Sequence, residues 1–87
     1  MTSPLPRWLM LRYAKLWRAF GESEFTFSQA GDVLSEGSHR LSVVLSELKR
    51  RGWLTVSIDP SDSRRRIYKL RNPTECVEEL GEEAWAR

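Results

Sequence analysis

The strongest constraint on the fold is the apolar pattern of residues 38–51, which predicts one amphipathic helix. Apolar side chains recur at positions i, i+3, i+4 and i+7, a spacing that places them on one face of a helix. Gly52 follows a basic last turn and is expected to end the helix. The residues predicted to face the core are Leu41, Val44, Leu45 and Leu48.

Other stretches of the chain predict further helices and a β-hairpin. Unbroken helical spacing predicts helices, whereas alternating apolar and polar residues around a turn-rich segment predict two strands. Phe25 to Phe27 predict a short additional strand. The expected fold is a single α+β domain over residues 1–87. The predicted helices span residues 7–20, 28–35, 38–51 and 74–86, and the predicted hairpin strands span residues 53–58 and 66–70.

Three details of these elements are also predicted. Ser28 and Ser38 stand at the expected starts of two helices, where a serine side chain caps free backbone N–H groups. In the last helix, Val77, Leu80 and Ala84 fall on one side and are expected to pack inward.

The composition argues against several classes of protein. Cys76 is the single cysteine and His39 the single histidine, so neither an internal disulfide nor a four-ligand zinc set can be built. The longest apolar run has four residues, Trp8 to Leu11, against about 18 needed for a membrane span. No catalytic triad or glycine-rich phosphate loop is present. We expect a cytoplasmic protein that is not an enzyme and that needs no cofactor or metal.

Charge is distributed unevenly along the chain. Residues 1–72 hold 13 basic and 7 acidic side chains, whereas residues 73–87 hold one arginine and five glutamates. The isoelectric point is about 9.0. A basic body followed by an acidic tail is compatible with a polyanionic partner such as nucleic acid.

The order of elements predicts a helix-turn-helix, because only about three residues separate Leu34 from Ser38. From Ser28 through Leu70 the chain resembles a winged helix-turn-helix domain. The stretch LSELKRRGWLTVSIDPSDSRRRIYKL resembles the recognition helix and wing of MarR-type transcriptional regulators. The resemblance implies a DNA-binding regulator with a three-helix core, a short first strand, a two-stranded wing and a last helix.

The resemblance carries over to particular residues. Asp62 and Arg64 match the Asp-x-Arg of the family, whose arginine enters the minor groove at the wing tip. Ser63 and Tyr68 depart from the pattern, since the family usually has arginine and an aliphatic residue there. MarR proteins are also longer, with terminal helices that form the dimer and a ligand pocket, so the resemblance says nothing about a ligand here. Structural positions of the family match Leu48, Gly52, Leu54 and Leu70.

The residues themselves also indicate a DNA-reading face, opposite the apolar face of the third helix. Its side chains are short, polar or basic, as close approach to base edges in the major groove requires. The alternatives are a merely solvated face, a surface role for His39 and helix capping by Ser38. The candidate reading face consists of Ser38, His39, Arg40, Ser42, Val43, Ser46 and Arg50.

The polar segment before the second hairpin strand carries Arg64, Arg65 and Arg66, which are expected to lie in the loop at the hairpin tip. Arginine at such a tip suits a narrow minor groove. The alternatives are a solubilising charge run and pairing of Asp62 with Arg64. Other cations are candidates for positioning phosphates, although their faces diverge: Arg7, Arg12, Lys15, Arg18, Lys49, Arg50 and Arg51.

We therefore expect a double-stranded DNA-binding transcriptional regulator that binds an inverted repeat as a homodimer. Trp8, Leu11 and the C-terminal helix are the candidate dimer interface, with cover of Trp8 and Leu11 by the C-terminal segment as the alternative. Two other functions stay open: a winged-helix protein-interaction module, and an antitoxin-like DNA-binding subunit of a larger complex.

Overall fold

The computed structural model describes residues 2–86, which form four helices and a three-stranded antiparallel sheet. The elements are α1 (Arg7–Phe20), β1 (Phe25–Thr26), α2 (Phe27–Leu34), α3 (Ser38–Arg50), β2 (Leu54–Asp59), β3 (Asp62–Leu70) and α4 (Pro73–Ala86). In the sheet, β3 lies between β1 and β2. This is the α+β winged-helix arrangement predicted from the sequence. Within this part of the chain, none of the helices has the length and apolar character to cross a bilayer.

The core lies between α1, α2, α3 and the inner side of the sheet. The four residues predicted to turn α3 inward are all buried. Tyr13 of α1 packs edge-on against Trp53, with ring centroids 5.1 Å apart. Aromatic packing of this kind fixes α1 against the start of the sheet. The other main contributors to the core are Leu9, Leu16, Phe25, Ala30, Leu54, Tyr68 and Leu70.

Helix α2 begins one residue earlier than predicted, because Thr26 caps it. Thr26 Oγ1 accepts a hydrogen bond from the Gln29 backbone N–H at 3.2 Å, and Gln29 Oε1 accepts one from the Thr26 N–H at 2.9 Å. This reciprocal pair is a capping box. The prediction that Ser28 caps the helix is wrong, and Phe27 belongs to α2 and not to the strand.

Three residues join α2 to α3. Ser35 adopts a left-handed conformation with φ of 54° and reverses the chain direction. A Cβ atom on Gly31 would lie 3.2 Å from Leu41 Cδ2, so the two helices approach closely at this glycine. The N-cap of α3 is Gly37, with no side-chain hydrogen bond, so the predicted capping by Ser38 is wrong.

Helix α3 ends in a Schellman motif that leads into the sheet. The Trp53 N–H donates to the Leu48 carbonyl at 2.9 Å, and the Gly52 N–H donates to the Lys49 carbonyl at 3.1 Å. Gly52 has φ of 85°, a conformation that favours glycine. Because β2 starts two residues later, the motif fixes α3 relative to the hairpin.

The β2–β3 hairpin, which we call the wing, is longer and tighter than predicted. β3 begins at Asp62 and not at residue 66, so only Pro60 and Ser61 separate the strands. Asp59 pairs with Asp62 across a bulge, and its Oδ1 accepts a hydrogen bond from the Ser61 N–H at 2.9 Å. The prediction of a loop that includes residues 64 and 65 is therefore wrong.

Helix α4 is attached at the C-terminal end of α3 through Arg71. The Arg71 guanidinium donates to the Gly52 carbonyl at 2.8 Å and pairs with Glu79 of α4. Thr2 is buried, accepts a hydrogen bond from Arg71 and donates one to Glu79. The N-terminal segment and α4 are thereby fastened together beside the end of α3.

The face of α4 that packs inward differs from the prediction. Cys76 is buried and Leu80 is half-buried against the core, whereas Val77 is 60% exposed and Ala84 is also exposed. Only the position of Leu80 agrees with the expected inward face. The second half of α4 carries Trp85, which is 93% exposed.

Candidate nucleic-acid interface

The exposed side of α3 presents every residue assigned to the reading face, and the opposite side is buried. Most of the exposed side chains are short, so another molecule can approach the helix backbone closely. Val43 is 44% exposed and is the large apolar residue of this face. The exposed residues are Ser38, His39, Arg40, Ser42, Val43, Ser46 and Arg50.

At the N-terminal end of α3, Glu36 links the recognition helix to α1. Arg12 of α1 donates to Glu36 Oε1 and to the Trp8 carbonyl, and its guanidinium lies 5.8 Å from the centroid of the Trp8 ring. Arg40 Nε lies 3.6 Å from Glu36 Oε2, an atom that is buried and makes no hydrogen bond within the described residues. Arg40 itself remains largely exposed, so its guanidinium is accessible although a carboxylate lies beside it.

At the other end of α3, Glu47 binds two arginines. Arg50 donates to its carboxylate through Nε at 3.1 Å and Nη2 at 2.7 Å, and Arg51 donates through Nε at 3.2 Å. These bonds, first from Arg50 and then from Arg51, hold the pKa of the Glu47 carboxyl below its usual range. The bonds to Glu47 likewise raise the pKa of Arg50. Both side chains are charged at neutral pH.

The wing arginines lie on a strand, and they point to two different sides of it. Successive residues of a regular strand face opposite sides of a sheet, so Arg66, which pairs with Ile58, shares the side of Tyr68, which packs against the core. Arg65 lies with Ile67 in a depression that Asp59 also lines. All three arginines are exposed, and Arg66 lines the space between α3 and the wing, whereas Arg64 stands in the bulge of β3.

Asp62 stabilises the start of β3 through the backbone. Its Oδ1 accepts a hydrogen bond from the Arg64 N–H at 3.0 Å. The aspartate thus holds the local turn, as one alternative from the sequence proposed, but it does so without an ion pair to the Arg64 guanidinium. Among residues 2–86, no carboxylate forms an ion pair with Arg64, Arg65 or Arg66.

A groove of about 390 Å³ separates α3 from the wing. We call it the helix–wing groove. Its floor is apolar and its rim carries two serine hydroxyls and three cations, which makes it suitable for a group that is both anionic and partly apolar, such as a sugar–phosphate backbone. The floor consists of Phe27, Leu45, Val56 and Tyr68, and the rim of Ser42, Ser46, Lys49, Arg50 and Arg66.

The other cations predicted to bind phosphate are not gathered at the helix–wing groove. Arg51 is bound to Glu47 and to the Pro4 carbonyl, the latter at 2.9 Å. Arg12 is bound to Glu36. The three others are exposed side chains of α1: Arg7, Lys15 and Arg18.

Glu36 and Glu47 are the interface residues that the sequence analysis did not single out. Each is a carboxylate beside a cation of the reading face. For Glu47 the spacing was a usable signal, because it lies three residues before Arg50 within α3, whereas Glu36 precedes the helix and meets Arg40 from the turn. Oppositely charged side chains three residues apart meet on a helix surface.

The predicted dimer residues lie at separate places. Trp8 and Leu11 are 44% and 52% exposed, and Trp8 borders a depression formed with the first turns of α3. Helix α4 is attached at the opposite end of α3, through Arg71 and the Gly52 carbonyl. The alternative in which the C-terminal segment covers Trp8 and Leu11 does not hold in this chain.

Comparison with known proteins agrees with this architecture. The chain is 33% identical over 79 residues to the type I restriction enzyme MjaVIII methylase subunit of Methanocaldococcus jannaschii, a match that covers 90% of this chain and 14% of that protein. No protein-family model matches the sequence.

Solved structures with a similar fold are transcriptional regulators. One is a mutant of E. coli MarR complexed with operator DNA, with a TM-score of 0.65 and 20% identity over 91% of this chain and 58% of that one. Another is the PcaV regulator of Streptomyces coelicolor in complex with its natural ligand, with a TM-score of 0.63 and 28% identity over 82% of this chain and 51% of that one. The chain thus spans little more than half of each regulator. Its helices, sheet order and wing make it a MarR-like winged helix-turn-helix domain.

Proposed function

We propose that this protein is a non-enzymatic regulator that binds double-stranded DNA, with α3 in the major groove and the wing at the minor groove. The observation that carries this proposal is the exposed polar and basic face of α3 beside a wing whose Arg66 lines the same groove. The similar E. coli MarR structure contains operator DNA, which supports the same use of the fold.

Helix α3 would supply direct readout. Ser42 and Ser46 each offer a hydroxyl that donates or accepts, and the methyl groups of Val43 suit contact with a thymine methyl. Arg40, at the first turn, would reach guanine or a phosphate oxygen. The single large apolar residue on this face favours DNA over a protein partner, because protein interfaces are richer in large apolar and aromatic side chains.

The wing would supply the minor-groove and backbone contacts. Arg64 lies near the free end of the hairpin and makes no ion pair among the described residues, so no protein charge has to be displaced before it meets DNA. Arg66 is set deeper, on the rim of the helix–wing groove. Arg65 faces away and would contribute less.

We also propose that two copies bind one inverted repeat. Recognition helices of a symmetric dimer lie about 34–36 Å apart and enter successive major grooves. The candidate two-fold contact would place α4 of one copy against Trp8 and Leu11 of the other. Such a contact is reciprocal, as two-fold symmetry requires.

The test is selection of binding sites from a random duplex library at two salt concentrations. We expect a palindromic consensus, and affinity that falls by about 0.9 log units per log unit of salt for each phosphate neutralised. Binding without salt dependence, or no binding to any duplex at low salt, would contradict the proposal.

A second candidate is a DNA-recognition part of a larger assembly. The identity to a segment of a restriction-enzyme methylase subunit favours it. In that case the selection would return a consensus without two-fold symmetry, and a stoichiometric protein partner would co-purify with the chain from native extract.

A further inference from the structure

We propose that Glu47 is a positioning residue that restrains Arg50 and thereby sets how strongly the domain distinguishes its own site from other DNA. This inference rests on the proposed DNA-binding function. Glu47 is not on the reading face, and it would touch no base. Its effect would pass through the guanidinium that it binds.

The geometry of the restraint is specific. Two nitrogen atoms of Arg50 donate to the two oxygens of Glu47, at 3.1 and 2.7 Å. Bidentate pairs of this kind fix orientation as well as charge. The Arg50 side chain is 65% exposed and that of Glu47 27% exposed. The exposed partner is therefore the one that can leave.

Arg51 keeps the carboxylate in place. It donates to Glu47 Oε2 at 3.2 Å and to the Pro4 carbonyl at 2.9 Å, so one guanidinium bridges α3 and the N-terminal segment. The Ser3 N–H also donates to the Arg51 carbonyl at 2.8 Å. When Arg50 moves, Glu47 would therefore stay where it is.

The surroundings of Arg50 determine what the restraint does. Arg50 shares the rim of the helix–wing groove with Lys49 and Arg66. A phosphate that approaches this rim meets those two cations directly, but it meets Arg50 only after competing with the Glu47 carboxylate. On non-cognate DNA the phosphate would not displace Glu47, whereas on the cognate site a base or phosphate contact of Arg50 would.

The experiment compares binding of a random duplex and of the selected duplex across a salt series. The variants are Glu47→Gln, Arg50→Ala, and the double variant with both changes. Glu82→Gln, an exposed position on α4, is the matched control, because it removes the same charge away from α3 and the wing. The oligomeric state of each variant is measured as well, because α4 is also the candidate dimer contact. Glutamine keeps an acceptor oxygen for Arg51, and thermal unfolding checks that each variant is folded.

We expect Glu47→Gln to strengthen binding to the random duplex more than Glu82→Gln does, because Arg50 is released. The slope of log affinity against log salt should steepen by about 0.9, which equals roughly a 3.5-fold larger loss between 50 and 200 mM salt. The selected duplex should gain less, so the ratio of the two affinities falls. Arg50→Ala should abolish the effect of Glu47→Gln.

Equal behaviour of Glu47→Gln and Glu82→Gln would overturn the role of Glu47. The proposed function would still stand in that case if the unaltered protein bound the selected duplex with strong salt dependence. Failure of the unaltered protein to bind any duplex would overturn both.

Discussion

Gly31 of α2 lies directly against Leu41 of α3: a Cβ on the glycine would lie 3.2 Å from Leu41 Cδ2. The relative position of the two helices therefore depends on a residue without a side chain. Because α3 carries the reading face, this contact influences both stability and the direction in which that face points.

The first prediction concerns this contact. Gly31→Val should lower the free energy of unfolding by about 1–3 kcal/mol, because the added methyl groups overpack the helix pair. Gly81→Ala is the control: nothing lies within 4 Å of a Cβ at Gly81, so alanine should raise the free energy by about 0.5–1 kcal/mol. Urea unfolding measures both. Unchanged stability of Gly31→Val would contradict the close contact.

The second prediction distinguishes the two candidate caps of α2. Thr26→Ala should lower the free energy of unfolding by about 1 kcal/mol, because it removes the acceptor for the Gln29 N–H. Ser28→Ala should change it by less than about 0.5 kcal/mol, as for an ordinary exposed position. Chemical unfolding of both variants checks this, and a larger loss at Ser28 than at Thr26 would argue against the capping box.

The third prediction concerns the two sides of the wing. Arg66→Ala should weaken duplex binding and reduce the salt slope by about 0.9, as for the loss of one phosphate contact, because Arg66 lines the groove beside α3. Arg65→Ala removes the same side chain from the preceding position of the strand, and it should reduce the slope by less than half as much. Fluorescence anisotropy at several salt concentrations measures both. Equal effects would show that the side of the strand does not matter.

The fourth prediction concerns acid stability. Hydrogen bonds from Arg71 and then from Thr2 lower the pKa of Glu79 from 4.5 to about 2. A carboxyl with a lowered pKa in the folded state stabilises the fold when it is ionised. Its contribution is complete above pH 4.5 and is lost as the pH falls toward about 2.

Glu79→Gln removes this contribution. The stability difference between the unaltered protein and this variant should be constant above about pH 5 and should shrink at lower pH. Urea unfolding between pH 7 and pH 2.5 measures it. Glu78→Gln, on the exposed side of α4, should give a small difference at every pH. A Glu79→Gln difference that does not change with pH would contradict the prediction.

The elements that were predicted correctly are those whose residue pattern is local and repeats along the chain. The apolar residues of α3 recur with a helical period, and Gly52 marks its end, so both were predicted closely. The exposed reading face followed from the same period, because a face opposite four buried residues has to be exposed in a domain this small.

The predictions that failed depend on contacts between residues distant in sequence or on backbone detail. The face of α4 is determined by the Arg71–Glu79 pair and by burial of Cys76, and no periodicity reveals either contact. The cap of α2 was misplaced because Thr26 and Ser28 are both good caps, and only the backbone shows which one meets Gln29.

The prediction of the wing was wrong for a third reason. Asp59, Pro60, Ser61 and Asp62 all favour turns, so the pattern alone did not show that the two aspartates pair and that β3 starts at the second one. As a result, the arginines expected in the loop at the hairpin tip lie on a strand, where neighbouring side chains are not equivalent.

The pairing of Tyr68 with Phe25 on one side and Val56 on the other anchors β3 at its far end. Insertions or deletions at Pro60 and Ser61 therefore change the length of the wing without changing the direction of the arginines. Adding or removing one residue between Arg66 and Tyr68 would instead turn the arginine side chains to the other side of the sheet, because side-chain direction alternates from one strand residue to the next. Related chains should therefore vary in the length of the turn but keep an odd number of residues between the positions of Arg66 and Tyr68.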